Sequence, residues 1–447
     1  MENRTIVEGI ERMKQILILG GGAAGIIAAI AAAENSPDCR VTILEKNPRI
    51  GKKLLATGNG RCNLDNTSIS PDCYFTSDQN TMKEMLAHID RADPLGWFRQ
   101  HGLLCRCDEA GRIYPYSNQA ADVLNLLLYW LEQQKVELRC GCAVRDIDRR
   151  GAAYVVTAAD GQRFMADAVI CALGGKAGPQ FGTDGFGLEL ARLCGCAMEP
   201  AYPCLVPLNS EKKQIAGLSG VRVKGEISLW DGERPLRTEN GEVQFTDYGI
   251  SGIAVMQLSG LLGPHYHLRQ PEIHVDLFPH LAEQELVSYL QERSRLLPET
   301  DARGFMTGLV HPRVGAAVWK AADMGKEERK LSTLSSGEWG KLAHSLKCWR
   351  FRGLSPTDWK NAQTTGGGIA LSQLCSDSFQ LRGCEGLYFV GETVDCAGCC
   401  GGYNLHWAFG SGLLAGRHAA MLLKNQRKSS AKAPKTQKSA AKKKKKS

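Results

Sequence analysis

Residues 14–33 read Lys14-Gln15-Ile16-Leu17-Ile18-Leu19-Gly20-Gly21-Gly22-Ala23-Ala24-Gly25-Ile26-Ile27-Ala28-Ala29-Ile30-Ala31-Ala32-Ala33, and after a polar break comes Arg40-Val41-Thr42-Ile43-Leu44-Glu45. The short apolar run that stops at Gly20 predicts a buried parallel strand, and the alanine- and isoleucine-rich stretch after Gly25 predicts a helix. Between them, Gly20, Gly22 and Gly25 stand in Gly-x-Gly-x-x-Gly spacing. Such glycines allow a tight turn, close approach of a pyrophosphate and contact of helix with strand. The first helical turn, at Ala23 and Ala24, then offers free N–H groups and a positive dipole end to the phosphates. Glu45 closes the second strand 20 residues beyond Gly25, the spacing of a carboxylate that grips ribose hydroxyls. An acid there, rather than an arginine, argues against a 2′-phosphate at this site. The glycines alone would say little, but strand, glycines, helix, strand and terminal acid together specify a dinucleotide-binding unit.

Directly beyond Glu45 lies Lys46-Asn47-Pro48-Arg49-Ile50-Gly51-Lys52-Lys53-Leu54-Leu55-Ala56-Thr57-Gly58-Asn59-Gly60-Arg61-Cys62-Asn63. This basic, glycine-rich loop can surround a diphosphate and the edge of a flavin with backbone N–H groups and positive charge. It resembles the G-[RK]-K-L-x-x-[ST]-G-x-G-R-C-N signature of the BaiN-like (YhiN-like) flavoproteins, also labelled aminoacetone-oxidase-family FAD-binding enzymes. Three C-terminal segments are similar to the same family: Thr365-Gly366-Gly367-Gly368, Gly386 through Gly391-Glu392-Thr393-Val394-Asp395, and Gly401-Gly402-Tyr403-Asn404-Leu405-His406-Trp407-Ala408. Looser matches run through Leu173-Gly174-Gly175 to Gly185, Pro203 to Leu208, and Phe245 to Gly252, so the resemblance covers about residues 14–423. Three departures stand out. Asp247 occupies a position where the family carries histidine, His406 one where it carries glutamine, and Cys396 and Cys399 lie outside the pattern.

The resemblance implies an α/β fold with a glutathione-reductase-type Rossmann FAD-binding domain, tight non-covalent FAD, and NAD(P)H as co-substrate. It implies cofactor contacts from Gly20, Gly22, Ala23, Ala24, Gly25, Glu45, Lys46, Lys53, Gly58, Arg61, Cys62 and Asn63 at one end of the chain. At the other end it implies Gly391, Glu392, Asp395, Gly402, Asn404 and Leu405, with a strand-end acid on the ribityl chain and a helix N-terminus at the pyrimidine edge. Val144 is expected to pack on the adenine or to hydrogen-bond it through its backbone.

The cofactor domain is therefore expected in two pieces, 1–200 and 345–424, with an inserted β-barrel-like and helical substrate domain at 201–344. Alternation in Val221-Arg222-Val223-Lys224-Gly225-Glu226-Ile227-Ser228-Leu229 predicts strand, while 281–296 and 315–324 predict helices. Substrate is expected to enter between the domains. The formal charge of +8 belongs to the C-terminus, because Lys424 to Ser447 holds ten Lys and one Arg without an acid; removing those eleven charges leaves the body at −3. Residues 425–447 are read as a disordered Lys-rich tail that could touch a polyanion.

Seventeen cysteines, odd in number and scattered through a long chain, predict reduced thiols in a cytoplasm rather than a secreted disulfide framework. Their spacing predicts no metal site. The uncharged stretch Ile16 to Ala33 reaches membrane-span length, but its glycines split it into strand, turn and helix, so no transmembrane segment is expected.

The flavin would carry the reaction. Tyr403 and His406 are candidate proton donors, and Cys400 is a third catalytic candidate; Cys396-x-x-Cys399 permits a redox pair, though an incidental turn is the plainer reading. The family's BaiN branch implies NAD(P)H-driven C=C reduction of a small, bile-acid-like substrate, while its other label implies oxygen-using amine oxidation. A flavoprotein that acts on or docks to RNA through the basic tail is the reading from another class.

Overall fold

The computed structural model describes residues 12–432, with side chains to Lys428. Its first unit follows the local chemistry read above: strand β1 (Gln15–Leu19), helix α1 (Ala23–Asn35) and strand β2 (Arg40–Glu45). β1 is the centre of a five-stranded parallel sheet whose order is Leu387–Phe389, Ala168–Cys171, β1, β2, Glu137–Cys140. Leu17 pairs with Val169 on one side and Thr42 on the other. These strands carry apolar side chains on both faces because both faces are covered, and Ile16 to Leu19 are almost wholly buried. The strand Leu387–Phe389 comes from the far end of the chain, so the sheet itself joins the two pieces of the cofactor domain.

A three-stranded antiparallel layer, Val144–Arg150, Ala153–Ala158 and Arg163–Ala166, sits on this domain where the sequence predicts an inserted β-layer. The larger insertion is a seven-stranded antiparallel sheet built on the hairpin Arg222–Asp231 and Arg234–Phe245, which turns through Gly232-Glu233. Ile227, Leu229, Val243, Phe245, Ile273 and Val275 face helices Glu283–Leu296, Pro312–Ala321 and Ser336–Lys347 in a core of their own.

Two expected boundaries move. Trp349–Phe351 pairs with Pro271–Asp276, and Ser355–Pro356 pairs with Leu208–Asn209, so the inserted sheet continues past the boundary expected at 344/345. The cofactor domain resumes at the strand Thr364–Ile369, which pairs with Met198–Cys204. At the C-terminus, the helix that starts at Tyr403 runs to Lys432, so residues 425–432 are helical rather than disordered. Gln426 Nε2 donates to Glu385 Oε1 at 2.6 Å and Arg427 Nη2 donates to the Asp38 carbonyl at 2.9 Å, which anchors the extension. The rest of the expected tail, 433–447, lies outside the described residues, as does any polyanion contact made there. Among the described residues, no helix is long and apolar enough to cross a membrane.

Candidate cofactor site

The turn after β1 is built by contact distances. Gly20 N–H donates to the Leu44 carbonyl at 2.8 Å, and a Cβ on Gly25 would stand 2.0 Å from the Gly20 carbonyl oxygen. The third glycine is thus required for α1 to lie against the turn. A Cβ on Gly22, by contrast, would meet nothing within 4 Å, because Gly22 faces open space. α1 begins there without a side-chain cap or an acidic residue in its first turn. Its first amides have no acceptor within the helix, and they face a cavity of about 340 Å³.

That cavity draws its wall from the whole length of the cofactor domain. Gly20, Gly22, Ala23, Ala24, Glu45, Lys46, Lys53 and Val144 line it from the first piece, with Leu173, Gly174, Thr183 and Asp184 from the middle. Gly391, Glu392, Asn404 and Leu405 close it from the second piece. Glu45 is buried at one end; its Oε2 accepts the Gly21 N–H at 2.8 Å and its Oε1 accepts the Asn47 N–H at 2.7 Å. Lys46 bridges to Asp184 at 2.6 Å. Lys53 forms an ion pair with Glu392 Oε2, and Glu392 Oε1 accepts both the N–H and the hydroxyl of Thr365, at 3.0 and 2.7 Å. The Thr365 hydroxyl in turn accepts the N–H groups of Lys176 and Ala177 at 2.8 and 3.0 Å. Four distant stretches of chain thereby fix one side of the cavity. A glycine floor open at Gly22, an uncapped helix start and an acid at the ribose position fit FAD.

Other expected contacts lie behind the wall. Gly25 packs on the turn. Arg61 is exposed, with its guanidinium 4.8 Å from the centre of the Tyr114 ring. Cys62 is fully buried, and burial pushes its thiol up to about 12. Gly58 and Asn63 belong to the same turn but not to the cavity lining; in the orientation that satisfies its amide, Asn63 donates to the Asp65 carbonyl (3.2 Å) and accepts the Gly402 N–H (3.1 Å). Gly402 itself, at φ +109°, would place a Cβ 2.2 Å from the Asp65 carbonyl oxygen. Asp395 is wholly buried and its Oδ2 accepts from Thr76 and from Ser77 rather than reaching the cavity. These residues clamp the 57–77 segment to the 391–406 segment; they support the site without lining it.

The three catalytic candidates are also displaced from the cavity. His406 is buried outside the cavity lining, with Nδ1 3.0 Å from Asp65 Oδ1 and Nε2 3.3 Å from Asp90 Oδ1. Cys400 Sγ lies against Gln363 Oε1 at 3.7 Å, and burial pushes its thiol up to about 12. The Tyr403 carbonyl accepts from Tyr74 Oη at 3.2 Å, while its own hydroxyl, held protonated mainly by burial, adjoins Cys73. Asp247 is an exposed turn residue. Sequence reasoning missed Thr364 and Trp407 as wall residues, although Trp407 lies inside a motif quoted above and Thr364 immediately precedes another; Trp407 Nε1 donates to the Gly391 carbonyl at 3.3 Å. Among the described residues, no group of three or more His, Cys, Asp or Glu could hold a metal ion.

Residues 14–418 match the family described as the HI0933-like protein Rossmann domain. The chain is 37% identical over 409 residues to the 3-dehydro-bile acid delta(4,6)-reductase of Clostridium scindens, covering 91% of this chain and 99% of that protein. It is 26% identical over 399 residues to the ribosomal RNA dihydrouridine synthase of Escherichia coli, covering 88% and 95% respectively. Among solved structures, a 3-ketosteroid-delta4-(5alpha)-dehydrogenase from Rhodococcus jostii is 16% identical over 94% of this chain and 99% of its own, at a TM-score of 0.46, too loose a likeness to bear on function.

Proposed function

From the premise that the chain belongs to the HI0933-like Rossmann-domain family and is an FAD-dependent oxidoreductase, we propose that it reduces a carbon–carbon double bond of a steroid-like, bile-acid-type substrate at the expense of NAD(P)H. The observation that carries this reading is the 37% identity spread over 99% of the Clostridium scindens reductase. The chemistry that FAD supplies when bound is hydride transfer to an activated double bond.

The protein's part is to hold the cofactor through the Gly20–Ala24 turn, Glu45 and the Lys53–Glu392 pair, and to present the substrate. We place the substrate at the junction of the inserted sheet with the 396–403 loop. Arg237 reaches that junction from the inserted sheet, within 3.3 Å of Cys399, and Tyr202, Tyr266 and Tyr403 adjoin it. Burial raises all three tyrosine hydroxyls well above their ordinary range; the Tyr202 hydroxyl donates to the Gly260 carbonyl at 3.1 Å, and Tyr266 and Tyr403 stay protonated and suit hydrogen-bond donation to a substrate carbonyl. The odd number and scattered spacing of the seventeen cysteines support placing the protein in a reducing cytoplasm.

A second reading, reduction of a pyrimidine in ribosomal RNA, is favoured by the relative at 26% identity. One experiment separates them. The FAD-loaded protein is titrated anaerobically with NADH and with NADPH, and the bleached flavin is then offered a 3-oxo-4,6-diene bile acid, ribosomal RNA, or air. Rapid recovery of flavin colour with the bile acid alone supports the proposal. Recovery with RNA moves the substrate to the second reading, and recovery only with air overturns both.

A further inference from the structure

Two thiols face each other across the short antiparallel pair formed by Tyr74–Phe75 and Ala397–Gly398. The register sets Ala397 against Phe75 and Gly398 against Tyr74, so Cys399 falls opposite Cys73. Cys399 N–H donates to the Cys73 carbonyl at 2.8 Å. Residues directly opposite in an antiparallel pair have Cα atoms about 4.5–5.5 Å apart, within the ~4.4–6.8 Å that a disulfide spans.

The surroundings favour exchange chemistry. Arg237 crosses from the inserted sheet and donates from Nη2 to Cys399 Sγ at 3.3 Å. Its head is held by Glu239 Oε1 at 2.7 Å and by the Asp72 carbonyl at 3.3 Å. Ser70 Oγ lies 3.5 Å from Cys73 Sγ. Cys73 is half-buried and reachable from solvent, whereas Cys399 is buried. Side-chain contact with Cys399, helped by Ser70 and Tyr403, holds the Cys73 thiol well below the ordinary range, while Arg237 is the charge beside Cys399. The Cys396–Cys399 spacing noticed in the sequence is not the pairing the fold makes.

We propose that Cys73 and Cys399 are a redox-active pair that exchanges with small aliphatic disulfides and closes a cross-strand bridge beside the cofactor cavity. The Cys73 thiolate attacks one sulfur of the small disulfide, forms a mixed disulfide and expels one thiolate. Cys399 then gives up its proton and attacks the Cys73 sulfur, which expels the second thiolate and completes the protein disulfide. The small disulfide is reduced to two thiolates, one of which takes the proton given up by Cys399 and the other a proton from solvent, and the protein pair is oxidised. The bridge would pin the 396–402 turn, whose Gly398 is held by Asn404 at the cavity wall, and would withdraw from Arg237 its sulfur partner. None of this depends on the identity of the substrate reduced at the flavin.

The test uses the full-length, FAD-loaded protein and oxidised glutathione as probe, with an alkylating quench and peptide mass mapping. The expected product is a Cys73–Cys399 peptide lighter by two hydrogens and reversed by dithiothreitol, formed before the more exposed Cys107 and Cys140 are modified. Cys73→Ser should leave Cys399 unmodified, and Arg237→Gln should slow closure roughly tenfold at neutral pH. Flavin content and far-ultraviolet circular dichroism check that each variant is folded, and alkylation rates on the unaltered protein give the same ranking without any variant. Three outcomes would each overturn the proposal: a persistent glutathione adduct on Cys73 that never closes, a bridge from Cys399 to Cys396 or Cys400, or both thiols intact while Cys107 and Cys140 react.

Discussion

His406 shows how much one side chain can do without touching the cofactor. Burial alone would push its imidazole down, yet Asp65 and Asp90 flank it and hold it at about 9 instead of 6.5. The contacts are ionic rather than well-aligned hydrogen bonds, since neither ring nitrogen has a geometrically good acceptor. A pKa raised in the folded state contributes stability that is complete below the unfolded value and lost as pH rises through the folded one. The window is therefore about 6.5 to 9, with about 3 kcal/mol at stake. Urea unfolding across that range should show the natural protein losing stability as pH rises, while His406→Gln, the residue that the resembled family carries, should give a flatter profile; parallel profiles would remove His406 from this role. The same residue marks the limit of reading the site from sequence. Gly20, Gly22 and Glu45 were legible because strand, turn, helix and acid are neighbours in sequence and their spacing carries the geometry. The motifs point to Asn63, Asp395 and Gly402 as cofactor contacts and to His406 as a proton donor, but their partners lie more than three hundred residues away, or in another loop. A motif cannot say which of its residues face a ligand and which hold the wall from behind.

At the scale of elements, the last helix lies backbone against backbone on α1. A Cβ on Gly412 would lie 2.4 Å from the Ala24 carbonyl oxygen, and one on Gly416 would lie 2.4 Å from that of Ala28. The four-residue spacing puts both glycines on one face of the helix, so backbone meets backbone along a full turn. This contact places the start of α1 against the C-terminal motif. Gly412→Val should force the helices apart, cost about 3 kcal/mol as an overpacked core does, and lower FAD occupancy because the phosphate-facing turn moves with α1. Flavin-to-protein absorbance ratio and thermal unfolding check both, and a fully loaded, equally stable variant would contradict the packing account. The elements that sequence misjudged are short or anchored from outside. Trp349-Arg350-Phe351 is too brief for periodicity to assign to either domain, and only its pairing with Ile273 to Val275 does so. Residues 425–432 look like a solvated tail because their hold on the body comes through Glu385 and Asp38, which no local pattern reveals.

The described residues form two large hydrophobic cores and a small third cluster around Ala177, Val206 and Ala362. One gathers Ile16, Ile43, Ile170, Phe389, Trp407 and Leu413 from both ends of the chain, and the other gathers Ile227, Phe245, Ile273, Leu342 and Phe351 from the insertion. Because the first core is closed by segments nearly the whole chain apart, its assembly carries a loop-closure cost that a ligand touching both segments offsets. The insertion has a core of its own. Contacts between the two include Tyr202 Oη to the Gly260 carbonyl at 3.1 Å, Val206 N–H to Ser259 Oγ at 3.0 Å, and Arg237 to Cys399 and to the Asp72 carbonyl. Calorimetry of flavin-free protein should therefore resolve two transitions, and added FAD should raise one of them. Ligand at a hundred times its dissociation constant contributes about 2.7 kcal/mol, and each kcal/mol moves the midpoint of a domain this large by roughly 2–4 °C. The transition that stays in place should be the one retained when Glu45→Ala removes the ribose contact. A single transition that shifts as one would mean that the interface couples the cores as tightly as either holds itself, and the insertion would then have to be counted as part of the cofactor-binding unit.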